Sequence, residues 1–408
     1  MELELTKDQL EAKSLIIDWY SSRGSKDTFV VSGYAGTGKT TLLGEMRGDL
    51  RQVKANKIAY ACYTGKASVV LRKKLKTFFS NDLAEDFCGT IHGLMYEPII
   101  DPKTEEIIGW KRKPNSEVEF DLIVIDEGSM IDQQIYNDLL SYGIKLLIFG
   151  DHFQLPPVSE DHFNIMENPD FIITEIVRQE QDNPIIHLSM KLRQYEEIPF
   201  GQYGQSIAKV HRKKYPNVIN DFVKETVSFK NTLILCGFNR TRCVMNQSLR
   251  KFFGFGDNPE PKVGDRIICL KNNWQATPLP IANGMLGTLR ALVDSDDYYE
   301  MDVEFDDEIY HYFGQIAKGT FCNPKPEMKQ QYSYIFTIDP DTNKNSLVKT
   351  LLDFFDFGYC LTVHKAQGSQ ASRVLLIEEP CKYWEGEMWF RWLYTGITRA
   401  EKQLLIVR

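Results

Sequence analysis

The chain has 408 residues, of which 43% are hydrophobic and 25% charged, with a formal net charge of −8. This composition is typical of a globular protein, and the length suits two to four domains of about 100–200 residues each. The sequence contains no apolar run near the ~20 residues of a membrane span, and its start, Met1–Leu5, lacks the pattern of a secretory signal. The eight cysteines are scattered singly, which argues against zinc or disulfide chemistry and favours buried thiols in a cytoplasmic protein.

The charges are unevenly distributed along the chain. Residues 47–76 hold nine Lys or Arg and one acid, whereas residues 294–308 hold nine acids and no base. Bulk acidity argues against non-specific coating of nucleic acid but is compatible with a local basic groove. We interpret the acidic run as a solvated face and the basic run, which overlaps a motif described below, as a source of phosphate contacts.

Short apolar runs alternate with helix-like stretches in two parts of the chain. The strand-like runs are at 28–32, 58–62, 120–125 and 145–149, and then at 233–236, 359–363, 373–377 and 404–407. Strands that alternate with helices predict a parallel sheet covered on both faces. The expected fold class is therefore α/β, with two parallel-sheet domains.

Two segments interrupt this alternation. Residues 97–119 read as a strand, a turn at 101–104 and a second strand through Trp110, which predicts a projecting β-hairpin. The segment 259–351 is rich in turns and alternating strands, which predicts a small all-β insert. The predicted boundaries are 1–90 with 120–178 for the first α/β domain, 91–119 for the hairpin, 179–258 with 352–408 for the second α/β domain, and 259–351 for the insert.

The run Gly33–Thr40 fits the P-loop pattern Gly-x-x-x-x-Gly-Lys-Thr and lies between a predicted strand and helix. Backbone N–H groups of such a loop can surround phosphate oxygens. Lys39 would reach the β- and γ-phosphates of ATP, and the Thr40 hydroxyl would ligate Mg²⁺. The other candidate nucleotide contacts in the loop are Gly33, Gly36, Thr37, Gly38 and Thr41. The alternative, a simple glycine turn, is disfavoured by the strand–helix context.

Asp126 and Glu127 end a predicted strand, at the sheet edge where ligands of open α/β proteins bind. Asp126 is a candidate Mg²⁺ ligand, and Glu127 would orient or deprotonate the attacking water. An acidic pair of this kind is common by itself, and it gains meaning from the P-loop upstream.

Three further residues could act on a γ-phosphate. Gln154, in the run 150–157, could sense it, although a proline-terminated surface loop explains that run equally well. Arg178 and Arg399 could supply the positive charge that phosphoryl transfer needs. Either arginine, taken alone, could equally form a surface ion pair.

Taken in order, these runs resemble the motif series of superfamily-1 helicases. The matching runs are 5–9, 33–40, 63–67, 90–93, 125–127, 150–157, 175–178, 363–369 and 394–399. The last two most resemble the RecD/Dda branch, superfamily 1B. The resemblance implies two RecA-like motor domains, ATP and Mg²⁺ as cofactors, and 5′-to-3′ translocation on single-stranded DNA with separation of the duplex ahead.

The resemblance also implies roles for single residues. Gln9 would contact adenine, and Gly368 would link the bound strand to the nucleotide. The implied DNA contacts are Thr64, Lys66, Thr90, His92, Asn239, Arg240, Thr362, His364 and Ser369. His92 and His364 could equally be packed, hydrogen-bonded residues. Trp110 would stack on the separating base pair, or else pack the hairpin onto the core, and 259–351 resembles an SH3-like module.

Several alternatives stay open at this point. One is a 3′-to-5′ superfamily-1 motor, although such relatives usually carry large helical inserts for which this chain is short. Another is an ATP-gated single-strand-binding remodeller that does not separate strands, and RNA is an alternative substrate. The expected partners are single-stranded and forked DNA, with replication or recombination proteins as candidates. The motor is expected to be a monomer, in the host cytoplasm if a phage encodes it.

Overall fold

The computed structural model describes residues 4–22, 24–78, 85–100, 107–157, 163–177, 181–226, 229–273, 281, 283–306, 311–329, 331–338, 345–379 and 386–408. The chain divides into two compact units: Met1–Ile198 with Lys382–Thr398, and Pro199–Cys381 with Arg399–Arg408. The four domain boundaries predicted above stay a prediction. Among the described residues, no helix is both long and apolar enough to cross a membrane.

The first unit alternates helices with strands. In chain order these elements are α1 (Lys7–Ser21), β1 (Thr28–Gly33), α2 (Lys39–Gln52), β2 (Ile58–Cys62), α3 (Gly65–Phe78), β3 (Phe87–Thr90), α4 (Ile91–Met95), β4 (Tyr96–Ile100), β5 (Ile107–Arg112), β6 (Leu122–Asp126), α5 (Gln133–Leu140), β7 (Lys145–Gly150), β8 (Phe171–Ile173) and α6 (Pro184–Arg193). Six strands form a sheet in the order β3-β2-β6-β7-β1-β8, and all of their pairings are parallel. Strands β1 and β2 are buried along their whole length, as expected for a sheet covered on both faces.

One cation of the basic run is part of the core. Arg47 is 1% exposed, and its Nε and Nη2 donate to the two carboxylate oxygens of Asp86 at 2.8 and 2.9 Å. Asp86 Oδ1 also accepts the backbone N–H of Ile58 at 2.9 Å, so the pair ties α2 to the start of β2. For Arg47 the predicted phosphate contact is therefore wrong, because its guanidinium is buried against a carboxylate.

The predicted hairpin is present as β4 and β5, which pair antiparallel with Trp110 opposite Pro98. Its base carries a cross-strand ion pair between Lys111 Nζ and a Glu97 carboxylate oxygen at 3.0 Å. The predicted turn at 101–104 lies outside the described residues, as does the side chain of Trp110.

The second unit combines a parallel sheet with an all-β insert. Its elements are β9 (Gly201–Tyr203), β10 (Ile207–Val210), α7 (Val218–Lys224), β11 (Thr232–Cys236), α8 (Asn239–Phe252), β12 (Arg266–Cys269), β13 (Leu286–Asp294), β14 (Tyr298–Phe305), β15 (His311–Ala317), β16 (Tyr332–Ile338), β17 (Asn345–Leu351), β18 (Phe355–Phe357), β19 (Cys360–Thr362), β20 (Ala371–Ile377) and β21 (Ala400–Val407). The main sheet has the order β19-β11-β20-β21-β10-β9, and only β9 pairs antiparallel within it. Helix α9 (Glu387–Ile397) precedes β21 in the chain but clusters with the first unit.

The insert is a five-stranded antiparallel sheet in the order β15-β14-β13-β12-β18, beside a β16-β17 hairpin. The all-β insert is thus confirmed, and its sheet also takes in β18, beyond residue 351. Part of the acidic run is paired, because Glu304 accepts from Lys230 at 3.0 Å and from Arg290 at 2.6 Å. A buried pair between Arg250 and Asp265, at 2.9 Å, connects α8 to the strand β12 that follows.

Asp86→Ala should destabilise the first unit by about 3–5 kcal/mol, because it leaves the buried Arg47 guanidinium without its carboxylate. Urea unfolding followed by tryptophan fluorescence measures the loss. The matched control is Asp49→Ala, which removes a partly exposed ion pair with Lys13 and should cost about 0–1 kcal/mol. Equal losses in the two variants would contradict a structural role for Arg47.

Candidate functional site

The P-loop connects the end of β1 to the start of α2 through left-handed glycines. Gly36 has a φ of 79° and Gly38 a φ of 69°, a region that residues with a side chain rarely adopt. A Cβ on Gly38 would lie 2.5 Å from Gln9 Nε2, and one on Gly33 would lie 2.7 Å from Thr37 Oγ1. The left-handed turn therefore requires glycine at positions 36 and 38, and the neighbouring side chains leave no room for a Cβ at Gly33 or Gly38.

Lys39, the first residue of α2, folds back over this loop. Its Nζ donates to the carbonyl oxygens of Gly33 at 2.5 Å and Tyr34 at 3.1 Å. Thr40 and Thr41 follow in the first helical turn and are partly exposed. Helix N-termini attract anions, so this turn can take a phosphate with Lys39 as counter-charge.

Asp126 and Glu127 stand at the carboxyl end of β6. Burial raises the pKa of Asp126 above its ordinary value, and the nearby Lys39 charge opposes that rise. Glu127 has a left-handed backbone, with a φ of 59° and a ψ of 45°, and its N–H donates to Asp126 Oδ1 at 2.9 Å. A strained backbone of this kind persists only where the surroundings hold it, and it occurs most often at functional sites.

Gln9 braces the P-loop from α1. Its Nε2 donates to the carbonyl oxygens of Thr37 at 3.0 Å and Gly38 at 3.2 Å, and its Oε1 accepts the Thr6 N–H at 2.8 Å. Both ends of the amide are thus engaged, and the residue is 1% exposed. The predicted adenine contact stays a prediction, and it would require these hydrogen bonds to be exchanged.

The predicted strand contacts of the first unit share one sheet edge with Asp126. In the parallel register, Cys62 is the partner of both Thr90 and Asp126. The hydroxyl of Thr64 accepts the Ala67 N–H at 3.2 Å, and that of Thr90 accepts the Gly93 N–H at 3.0 Å. Each threonine therefore caps the helix that follows it, and its O–H remains available to donate.

His92 and Lys66 occupy the first turns of α4 and α3. The His92 ring lies 6.0 Å from the Tyr63 ring and 5.5 Å from the Tyr96 ring, and burial lowers its pKa. Near pH 7 the imidazole is therefore neutral, so any phosphate contact would come from a neutral N–H.

The second unit repeats this arrangement of polar residues at strand ends. Thr362 ends β19, is the register partner of Cys236 at the end of β11, and accepts the Lys365 N–H at 3.3 Å. Asn239 and Arg240 begin α8, directly after β11, and both are exposed. The predicted contacts at Thr362, Asn239 and Arg240 thus lie along one edge of the second sheet.

The segment after β19 brings together the remaining predicted residues of the second unit. His364 has a pKa lowered by burial, and Gly368 has a φ of 73°. Ser369 is 3% exposed, and its carbonyl oxygen accepts from Arg399 Nη1 at 3.4 Å. Arg399 is itself 3% exposed. Arg178 lies outside the described residues.

The first part of the chain, residues 8–160, matches the family model described as AAA domain, and residues 357–407 match the UvrD-like helicase C-terminal domain. The Dda DNA helicase of Enterobacteria phage T4 is 23% identical, over 99% of each chain. The RecD2 DNA helicase of Deinococcus radiodurans is 24% identical over 85% of this chain and 42% of its own length. Together, these two matches and these relatives support a superfamily-1 helicase of the branch of RecD, Dda and Pif1.

A solved structure shows the same fold. The Bacteroides Pif1 helicase in complex with ADP-AlF3 and ssDNA has a TM-score of 0.58 at 18% identity, covering 99% of this chain and 92% of that one. The likeness supports the two RecA-like sheets with inserts. The chain spans less than half the length of the first curated relatives that it matches.

The structure places further side chains at the P-loop, beyond those predicted from the sequence. The Arg193 guanidinium lies 3.7 Å from the Tyr34 ring centroid. The Tyr34 hydroxyl is 3.1 Å from His152 Nε2, and the Ser32 hydroxyl is 2.6 Å from His152 Nδ1. Burial lowers the pKa of His152. No local sequence pattern predicts the role of Arg193, because it is one of two cations in the last turn of α6.

The loop that follows β7 is held from α9. The Tyr394 hydroxyl donates to Asp151 Oδ2 at 2.6 Å and accepts the Ala35 N–H at 2.9 Å. Gln154 lies in this loop at 5% exposure, and its Oε1 is buried with no hydrogen-bond partner among the described residues. In the sequence, the run 394–399 indicated the resemblance to the RecD/Dda branch and the candidate Arg399, but no role for Tyr394.

Asp126→Asn should raise the Tm of the nucleotide-free protein by a few degrees. The raised pKa means that the folded state binds the proton more tightly than the unfolded state, so stability is lost as pH rises through the folded value. At neutral pH the buried charge therefore opposes folding, and the neutral amide removes that penalty. Calorimetry at several pH values from 4 to 8 measures the effect. A lower Tm for the variant at pH 7.5 would contradict it.

Proposed function

We propose that the chain is an ATP-driven motor that moves 5′ to 3′ on single-stranded DNA and separates the duplex ahead of it. One observation carries this proposal. Along a single edge of the first sheet, β1 and β6 end in the candidate nucleotide residues, and β2 and β3 end in the candidate strand contacts. ATP and a nucleic-acid strand would thus act on the same rigid sheet.

The nucleotide residues fit Mg²⁺-ATP. Mg²⁺ usually takes one or two protein oxygens and completes its shell with phosphate and water, which matches Asp126 and Thr40. When bound, the ion would neutralise charge on the β- and γ-phosphates. In this proposal Glu127 orients the attacking water.

Three other side chains would sense or stabilise the reacting phosphate. Gln154 supports this role, because its buried Oε1 lacks a partner among the described residues and could accept from a bound water. Arg178 and Arg399 would supply positive charge, and their assignment rests on the resemblance to the family. Gly368 would report the bound strand to the nucleotide, and Trp110 would meet the duplex at the hairpin. These roles are proposals.

The strand contacts favour recognition of a backbone over recognition of bases. In the first unit they are Thr64, Lys66, Thr90 and His92, and in the second Asn239, Arg240, Thr362, His364 and Ser369. Small hydroxyls and helix N-termini suit phosphate oxygens and carry no sequence information. The proposed substrate is therefore any single strand. Its DNA identity, the monomeric state and the cytoplasmic location stay predictions.

The decisive test compares wild-type protein with Lys39→Ala. The wild type should hydrolyse ATP faster when single-stranded DNA is added, and it should unwind a 5′-tailed duplex but not a 3′-tailed one. Lys39→Ala should lose ATP turnover by about 10²-fold or more, because the phosphate loses its counter-charge. The control is Lys224→Ala, an exposed lysine of α7 that pairs with Asp221 at 3.4 Å, which should behave as wild type.

Each result separates the proposal from an alternative. Unwinding of the 3′-tailed duplex alone would show that the motor moves 3′ to 5′. ATP turnover stimulated by the strand, without unwinding of either duplex, would point to a remodeller. Stimulation by RNA but not by DNA would identify RNA as the substrate. Normal ATP turnover by Lys39→Ala would show that the nucleotide does not bind at Gly33–Thr40.

Arg240→Ala should weaken binding of single-stranded DNA and lower the slope of log K against log salt by about one. Arg240 is exposed at the first turn of α8, beside the end of β11. Lys251→Ala is the matched control, because Lys251 is exposed in the last turn of the same helix, paired with Asp257 at 3.0 Å. Fluorescence anisotropy at several salt concentrations measures both slopes. Equal changes in the two variants would argue against a strand contact at the start of α8.

A further inference from the structure

The Tyr394 hydroxyl joins two loops that are distant in sequence. It accepts the backbone N–H of Ala35, inside the P-loop, at 2.9 Å, and it donates to Asp151 Oδ2 at 2.6 Å. Both Tyr394 and Asp151 are 0% exposed. One buried oxygen thus connects the loop that would hold phosphate to the loop that carries Gln154.

Two more side chains of α9 hold the Gln154 loop. The Thr395 hydroxyl accepts the Leu155 N–H at 3.0 Å, and Arg391 Nη1 donates to the His152 carbonyl oxygen at 2.6 Å. Residues 394 and 395 lie three and four positions after residue 391, so the three side chains share one face of the helix. Three side chains on this face of α9 therefore hold the loop 151–155.

The kind of acceptor that binds the Tyr394 hydroxyl indicates a role for this residue beyond core packing. A buried tyrosine needs only a neutral partner, as Tyr142 shows by donating to the carbonyl oxygens of Met95 at 2.9 Å and Lys113 at 3.0 Å. Tyr394 instead donates to a buried carboxylate, which is the stronger kind of hydrogen bond. The donation polarises the hydroxyl and makes its oxygen a better acceptor for the Ala35 N–H. The two hydrogen bonds of the Tyr394 hydroxyl are therefore cooperative, and loss of either one weakens the other.

We propose that Tyr394 is a positioning residue that couples the state of the P-loop to α9 and to the loop carrying Gln154. The proposal rests on the proposed function, because it presumes that a triphosphate binds at the P-loop. A phosphate that reorients the Ala35 N–H changes the hydrogen bond to Tyr394, and hence the position of Asp151 and of α9. Helix α9 ends at Ile397, two residues before Arg399 in the sequence.

The first test is a separation of kcat from nucleotide affinity. Tyr394→Phe keeps the ring and removes the hydroxyl, so kcat for strand-stimulated ATP hydrolysis should fall by about tenfold, while the Kd of a fluorescent ADP analogue stays within about twofold. Asp151→Asn keeps an acceptor but removes its charge. Its kcat should therefore lie between those of Tyr394→Phe and the wild type. Tyr142→Phe, which deletes a buried hydroxyl bound only to backbone, should lose stability but keep kcat.

The second test follows the coupling directly by hydrogen–deuterium exchange with and without a non-hydrolysable ATP analogue. In wild type, peptides covering α2 and α9 should both gain protection, whereas in Tyr394→Phe only α2 should respond. An unchanged kcat in Tyr394→Phe, or an α9 response that persists, overturns the coupling. Loss of kcat/KM and of ADP affinity by the same factor also overturns it, since the residue would then only shape the binding loop. If α2 fails to respond even in wild type, the proposed nucleotide site fails instead.

Discussion

The parallel register of the first sheet is the constraint on which the candidate site depends. Thr90, Asp126 and Gly150 are far apart in sequence, yet each ends a strand of this sheet. Parallel pairing brings those ends to one edge, where Cys62 is in register with both Thr90 and Asp126 and Gly150 is in register with Ser32. A slip of one residue would turn every side chain of a strand to the other face. The buried apolar strands prevent such a slip, so core packing also fixes the geometry of the edge.

Several arginines are buried in ion pairs, so their positive charge stabilises the fold and is not available to bind phosphate. Arg47, Arg242 and Arg250 are each at most 2% exposed, and their ion-pair partners are Asp86, Asp356 and Asp265. In a chain of net charge −8, the cations left at the surface decide where a phosphate can bind. Arg240 and Arg242 illustrate the choice, since they lie two residues apart on α8 and one is exposed while the other is buried. Helical periodicity separates them, and a count of Lys and Arg along the sequence does not.

The parts of the site that the sequence predicts are the parts that local chemistry determines. The P-loop needs glycine at particular backbone angles and lies between a strand and a helix, so the run Gly33–Thr40 can be recognised from the sequence. The end of β6 at Asp126 follows from an apolar run meeting two acids. The roles that escaped prediction depend on contacts between distant segments. The bond from Tyr394 to Ala35 spans 359 residues, and the hold of Gln9 on Thr37 and Gly38 depends on how α1 packs against the loop.

The same distinction bears on how the proposed motor would hold its strand. Thr64 and Thr90 each use a hydroxyl to cap a helix, so the side chain is already fixed in place before a phosphate arrives. Little side-chain entropy is then lost on binding, and a neutral O–H donor forms a weaker bond to phosphate than a lysine or arginine does. Each unit presents such residues along the edge of its own sheet. Contacts that are preformed but individually weak would allow a strand to be gripped and released repeatedly, whereas a continuous row of cations would bind the strand tightly and slow every step.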